Sequence, residues 1–237
     1  MQELYRKDYD GEHVITGSTL VNGVRNTTRE WIDNPIQNQH ISGRAAIIAS
    51  GESRARYDVT KLQRHRGGLR GRKKLQTYGT GQLHNEMLLD FFITFDEKKL
   101  QECIDSGYTS RATVYTSAGR CLAFPEEFYL LPHSVKGQTA AVATWLACFD
   151  GHKEVFLLGF DGQTDLQYHN NIYSTTKKLP GTISYSKMIR QMLTIFNAYP
   201  SVEFFHVNVD EPVPEEWLWC PNFKIMSYSE WVSYCDI

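Results

Sequence analysis

The chain has 237 residues, 41% of them hydrophobic and 13% aromatic, and a formal net charge of −2. This is enough apolar material for a sizeable core and excludes an intrinsically disordered chain. The near-neutral balance excludes a global field that draws a protein to nucleic acid or a membrane surface, and the longest apolar run, Thr139 to Phe149, is too short to span a bilayer.

The five cysteines, Cys103, Cys121, Cys148, Cys220 and Cys235, form no C-x-x-C pair and keep no regular spacing. Such a set predicts reduced thiols and a cytoplasmic setting. No apolar run of the signal-peptide type stands near residue 1.

In chain order, residues 1–44 are polar and weakly patterned and read as a lead-in and edge segment. Within them Thr28 to Ile36, with Trp31, Ile32 and Ile36, reads as a short helix interrupted by Pro35. Ala45 to Ala49 is the first firm strand: short, apolar, and preceded by a basic turn. Ser50-Gly51-Glu52-Ser53 follows it directly. A glycine with two serines at a strand end presents backbone N–H groups to a phosphate, although an ordinary strand-to-helix turn has the same composition.

A basic segment comes next, Arg54, Arg56, Lys61, Arg64, Arg66, Arg70, Arg72, Lys73 and Lys74, opposed by Asp58 and loosened by Gly67, Gly68 and Gly71. It reads either as a mobile phosphate-gripping loop, for a nucleotide or a nucleic acid, or as a solvated surface loop. Leu75 to Tyr78 reads as a second strand ending in Gly79-Thr80-Gly81, and Leu88 to Phe95 as a third, ending at Asp96. Leu100, Cys103 and Ile104 recur at helical spacing within Glu97 to Ser106, with Asp96 as N-cap or ligand contact. Ala112 to Thr116 is a fourth strand.

Lys136 to Gly162 organises the rest. Gly137-Gln138-Thr139 opens a helix through Phe149, with Thr139 as the expected N-cap, and Gly151 closes it. Val155 to Phe160 is a continuous apolar run, the pattern of a strand buried on both faces, and Asp161 emerges at its carboxyl end. In open α/β sheets that edge is where ligands bind. Residues 163–176 are then rich in hydroxyl, amide and aromatic groups, including Tyr168, His169 and Tyr173, as in a ligand-holding loop or lid. His169 has the chemistry of a general base, and equally that of an ordinary surface histidine. Tyr185 to Tyr199 reads as an amphipathic helix whose Met188, Met192, Ile195 and Phe196 face the core. Val202 to Val207 is a last strand, and the tail from Pro212 carries Trp217, Trp219 and Trp231, an aromatic density that predicts docking on the body.

The alternation predicts an α/β, Rossmann-like fold: one domain over residues 45–210, a mostly parallel sheet, helices on both faces, and an aromatic tail over 211–237 packed against it. No complete G-x-G-x-x-G, no P-loop, no G-x-S-x-G elbow, no H-E-x-x-H and no zinc spacing occurs.

Gly51-Glu52-Ser53, Tyr78-Gly79-Thr80-Gly81, Gly137-Gln138-Thr139 and Gly159-Phe160-Asp161 stand in the order seen in bacterial lipooligosaccharide-type sialyltransferases. Over residues 45–165 the chain resembles that family and, equally, the pterin-diphosphokinase-like Rossmann proteins. It departs from the sialyltransferases where Gln163 replaces a tyrosine two residues past the aspartate. The resemblance implies a glycosyltransferase in a phage or bacterial setting, with a nucleotide-sugar donor as co-substrate and neither cofactor nor metal. Gly51, Glu52, Ser53, Arg54, Gly79, Thr80, Asp96, Gly137, Gln138 and Thr139 would bind the nucleotide. Asp161, His169, Tyr168 and Tyr173 would act in catalysis; the family's own catalytic histidine lies further downstream, so the role of His169 rests on its general-base chemistry. The acceptor would be a glycan, a small molecule or nucleic acid, and a homo-oligomer stays open. Two alternatives remain: a Mg-dependent pyrophosphoryl or phosphoryl transferase acting on a small heterocycle, and a non-catalytic nucleic-acid-binding protein using residues 54–74.

Overall fold

A computed structural model describes residues 3–4, 12–32, 43–65, 75–131, 136–161, 172–173, 182–208, 210 and 212–237. The chain opens with β1 (Glu3–Leu4), β2 (Glu12–Val21) and β3 (Val24–Ile32), which form a three-stranded antiparallel sheet in the order β1-β2-β3. The expected helix from Thr28 is therefore corrected: this stretch is the second arm of a hairpin. Asn22 and Gly23 both adopt positive φ, 52° and 76°, which is the two-residue turn that matches strand twist. Val24, Thr27, Thr28 and Ile32 then suit a strand, because β-branched side chains fit a pleat better than a helix.

The body is an eight-stranded sheet of β4 (Arg44–Ile48), β5 (Gln76–Gly79), β6 (Phe91–Ile93), β7 (Thr113–Thr116), β8 (Tyr129–Leu130), β9 (Glu154–Leu158), β10 (Glu203–Val207) and β11 (Phe223–Met226). Its order is β11-β10-β9-β4-β5-β6-β7-β8, and every pair is parallel. The fold is thus α/β and Rossmann-like. The helices are α1 (Glu97–Asp105), α2 (Ala118–Ala123), α3 (Thr139–Phe149), α4 (Thr182–Ala198), α5 (Glu215–Leu218) and α6 (Tyr228–Cys235).

Strand alternation splits the core into two layers. Ala45, Ile47, Val155 and Leu157 join Ala143, Leu146, Met192, Phe196 and Trp217, from α3, α4 and α5, on one face. Ala46, Ile48, Phe156 and Leu158 join Leu100, Cys103, Cys121, Trp231 and Cys235, from α1, α2 and α6, on the other. The chain builds outward from β4 to β8, then α3 carries it back across β4 so that β9, β10 and β11 add on the opposite side. Right-handed crossovers require the helices to change face when the direction reverses, as they do here.

Strand ends differ from the sequence reading by local chemistry. The third strand is confined to Phe91–Ile93, because Asp90 turns inward and its carboxylate accepts from Thr77 N–H and Oγ1. The basic segment is not a loose loop over its first half. Glu52–Arg56 and Val59–His65 are 3₁₀ turns, with Val59, Leu62 and His65 buried. Residues 66–74, which carry Arg66, Arg70, Arg72, Lys73 and Lys74, lie outside the described residues. In the tail Trp217 and Trp231 are buried, Trp219 is exposed, and β11 and α6 extend the sheet and cover it. Among the described residues no helix is long and apolar enough to cross a membrane.

At the amino ends of the strands the polar groups close on one another. Tyr78 Oη donates to Asp150 Oδ2 at 2.5 Å and lies 3.0 Å from His152 Nε2, all three residues being buried. Arg44 Nε donates to Glu154 Oε2 at 2.5 Å, Tyr234 Oη donates to the same carboxylate, and the Arg44 guanidinium lies over the Tyr234 ring.

Candidate functional site

The reversal of strand order places a topological switch point between β4 and β9, and ligands of open α/β sheets bind outside the carboxyl ends of such strands. Here the two strands stay joined past their ends: Ala49 N–H donates to Leu158 O at 2.9 Å and Gly51 N–H to Gly159 O at 3.0 Å. A Cβ on Gly51 would lie 2.4 Å from Gly159 O and 2.6 Å from Asp161 Cγ, so only glycine fits. Gly159 holds φ +69°, a conformation costly to any L side chain.

This close approach brings Asp161 under the 3₁₀ turn that follows β4. Ser53 N–H donates to Asp161 Oδ2 at 2.9 Å, and Ser53 Oγ donates to Oδ1. Both residues are buried, Asp161 at 8% exposure. Tyr228, at the start of α6, donates its hydroxyl to Ser53 O at 2.9 Å, and burial pushes that phenol up to about 12.

Arg54 is 2% exposed, and its guanidinium donates to both oxygens of Glu86. It also bonds the Tyr173 hydroxyl and lies over that ring, 5.0 Å from the centroid. Tyr173 is held at the mouth by Ile172 N–H, which donates to Ser50 O at 2.9 Å. Burial, then the bond to Glu86, pushes the Tyr173 phenol well above its ordinary range. Thr80 N–H donates to Ile48 O at 3.2 Å, which ties the end of β5 to β4. Gly81, at φ +75°, would place a Cβ 2.2 Å from Ser50 Oγ.

The other predicted residues are placed as follows. Gly79 lies in β5 pressed against Leu89, where a Cβ would come within 2.3 Å. Glu52 is exposed on the 3₁₀ turn. Asp96 caps α1, accepting from Lys98 N–H at 3.0 Å. Gly137, Gln138 and Thr139 open α3, which starts on the same rim because it connects parallel strands β8 and β9. Gln138 is the N-cap and Thr139 the first helical residue, so the helix begins one position earlier than the sequence suggested. Gln138 N–H donates to Gln191 Oε1 at 3.0 Å. Tyr168 and His169 lie outside the described residues. Ser53, Thr80, Thr139 and Asp161 therefore share one rim, and direct bonds join Ser53 to Asp161 and Thr80 to the end of β4.

Sequence reasoning missed His206, Asn208, Asp210, Glu86 and Tyr228. His206 is buried, its Nε2 3.1 Å from Phe160 O and its Nδ1 3.2 Å from Asn208 O. Burial lowers its pKa. Asp210 pairs with Arg56, which brings the end of β10 over the same turn. The available signal was the strand parity of His206, a polar residue inside a buried apolar run. Among the described residues no three His, Cys, Asp or Glu side chains stand together as a metal site.

The rim's donors are mostly paired with protein oxygens: Ser53 N–H with Asp161, Gln138 N–H with Gln191, and Arg54 with Glu86 and Tyr173. A ligand rich in oxygen acceptors can enter by exchanging with these side chains. No protein-family model matches this chain, and no curated protein or solved structure matches it.

Proposed function

We propose that the protein is a metal-independent transferase acting on a nucleotide-activated donor, a nucleotide sugar being the simplest case. The observation that carries this reading is the switch-point contact of Gly51 with Gly159 and Asp161, with Ser53 and buried Arg54 beside it. The resemblance over residues 45–165 to lipooligosaccharide-type sialyltransferases agrees with this choice, and the equal resemblance to pterin-diphosphokinase-like proteins supports the Mg-dependent alternative.

On this reading the donor phosphate lies against the backbone of Gly51 to Ser53 and the α3 N-terminus, where N–H groups and the helix dipole favour negative charge. Its oxygens take over donors now held by Asp161, Tyr173 and Gln191. An acceptor hydroxyl attacks the anomeric carbon as the bond from that carbon to the phosphate oxygen breaks. The electron pair leaves with the nucleotide phosphate, and the acceptor proton goes to His169, assisted by Tyr168. Released from Tyr173, Arg54 offsets the charge developing on the leaving phosphate. Asp161 orients the donor hydroxyls.

The test is a thermal-shift screen against CMP, UDP, GDP, their sugar conjugates and ATP, with Mg²⁺ or with EDTA. A ligand that binds the folded state raises the melting temperature. Shifts with nucleotide sugars that survive EDTA are expected, and shifts with ATP that need Mg²⁺ would favour phosphoryl transfer instead. Donor turnover that is unchanged by both Asp161→Asn and His169→Ala would end the assignment.

A further inference from the structure

A buried polar group without a partner is uncommon in a native protein, and each such group calls for an explanation. Most rim donors of this molecule have one. Asn208 does not: it is 2% exposed, and its Nδ2 meets no acceptor among the described residues. The amide orientation is fixed by its other end, because Asn208 Oδ1 accepts from Asp210 N–H at 3.0 Å. Turning the amide over would set one donor against another.

Asn208 directly follows β10, which pairs with β9 so that His206 stands opposite Leu157. Continued by two residues, that register puts Asn208 beside Gly159. His206 sits between the two strand ends, its Nδ1 near Asn208 O and its Nε2 near Phe160 O, and the nitrogen that carries the proton donates to its carbonyl. Asn208 shares strand parity with Phe204, whose side chain packs with α3 and α4, so it belongs to the side of the rim where α3 begins. The Arg56–Asp210 pair closes the opposite side.

The chemistry of these neighbours selects the ligand group. With its oxygen already engaged, Asn208 can only donate, so the ligand atom must accept. The phosphate position has the Arg54 guanidinium to offset Asp161, whereas beside Asn208 the Arg56 cation is already paired with Asp210, so a neutral group is favoured there. A carboxylate offers about four lone-pair sites, and Asp161 accepts two bonds from Ser53. A hydroxyl meets both conditions: it accepts from an amide and donates to a carboxylate.

We propose that Asn208 and Asp161 form a hydroxyl-reading subsite for a sugar ring, either the nucleoside ribose or the transferred pyranose. The inference rests on the nucleotide-donor reading for where the ring comes from, and on the unpaired Asn208 amide for the contact itself.

Calorimetric titration of the full chain tests it, with CMP, UMP, GMP and AMP, their 2′-deoxy and 3′-deoxy counterparts, and a panel of methyl pyranosides. Asn208→Ala removes the donor. Asn208→Asp keeps the oxygen that holds Asp210 N–H and guards against a folding defect, which thermal unfolding would reveal. For a ribose contact, one deoxy counterpart binds the wild type about tenfold more weakly, and the gap closes in both variants. For a pyranose contact, deoxy and ribo forms bind alike, and pyranoside binding drops about tenfold in the variants. Nucleotides that bind without any dependence on Asn208, together with pyranosides that behave likewise, would overturn the subsite and leave the nucleotide reading standing. Pyranosides that bind through Asn208 while no nucleotide binds would keep the subsite and end the nucleotide reading. Absence of binding by both classes would end both.

Discussion

The two ends of the same parallel sheet solve opposite problems. At the amino ends, polar groups are matched to each other: Tyr78 with Asp150 and His152, Arg44 with Glu154 and Tyr234. At the carboxyl ends, backbone takes the place of side chains at Gly51 and Gly159, and one buried amide is left over at Asn208. Groups that bond one another stabilise the fold and are not held out to a ligand. A rim built of close backbone contacts and exchangeable oxygens gives up some of that stability for access. The difference teaches that burial of polar residues alone does not mark a site. What marks it is burial at the carboxyl edge of the switch point, beside close backbone contacts.

Substitutions can break this contrast. The largest effect is expected for Gly51→Ala, whose Cβ would meet backbone oxygen and a buried carboxylate rather than a yielding side-chain tip. Urea unfolding should show a loss of about 3 kcal/mol, with nucleotide-induced thermal shifts abolished. Tyr78→Phe should cost about 1–3 kcal/mol by leaving Asp150 and His152 without their shared hydroxyl. Nucleotide shifts should be unchanged, since the loss lies at the amino end. If ligand binding fell as well, the two ends would not be independent.

His206 sharpens the contrast through pH. Its folded pKa is lowered from an ordinary 6.5, with burial as the main cause. The unfolded chain therefore takes up the proton first as pH falls. The contribution is complete above 6.5 and shrinks as pH falls from there toward the lower folded value, by at most about 1.4 kcal/mol per pH unit. Replacing His206 with Asn should flatten that part of the stability profile, measured by denaturant midpoints across the range. The smallest effect is expected for Arg44→Met. That ion pair is 30% and 21% exposed on its two sides, and its loss should change stability by less than about 1 kcal/mol.

Much of the body was legible in the sequence because its signals are local. Val155 to Phe160 reads as a doubly buried strand, and β9 is covered on both faces. Asp96 reads as an N-cap, and its carboxylate accepts from the first turn of α1. Asn22-Gly23 announces the hairpin of β2 and β3, whereas the apolar residues Trp31, Ile32 and Ile36 within Thr28 to Ile36 read as a short helix. The bends at Gly51 and Gly81 were legible as glycines at strand ends, whereas Gly159 reads as part of a strand through Phe160 and in the structure ends β9 after Leu158 with φ +69°. The partners at these bends were not legible: Ser53 meets Asp161 across 108 residues, and Tyr228 meets Ser53 across 175. Such pairings depend on strand order, which propensity does not encode. Glu86 and Asn208 carried no motif at all and emerge only from who is buried beside whom.

The central place of β4 has a consequence for biosynthesis. Its two neighbours come from very different times in translation: β5 follows soon after it, whereas β9 leaves the ribosome much later. A nascent chain can assemble β4 through β8 and still expose one flank of β4 as an open template for foreign strands. That flank is sealed only when β9 arrives, and the Tyr228 brace on Ser53 comes later still. Stalled or shortened chains should therefore be prone to clumping and chaperone capture, and should acquire the proposed chemistry last of all.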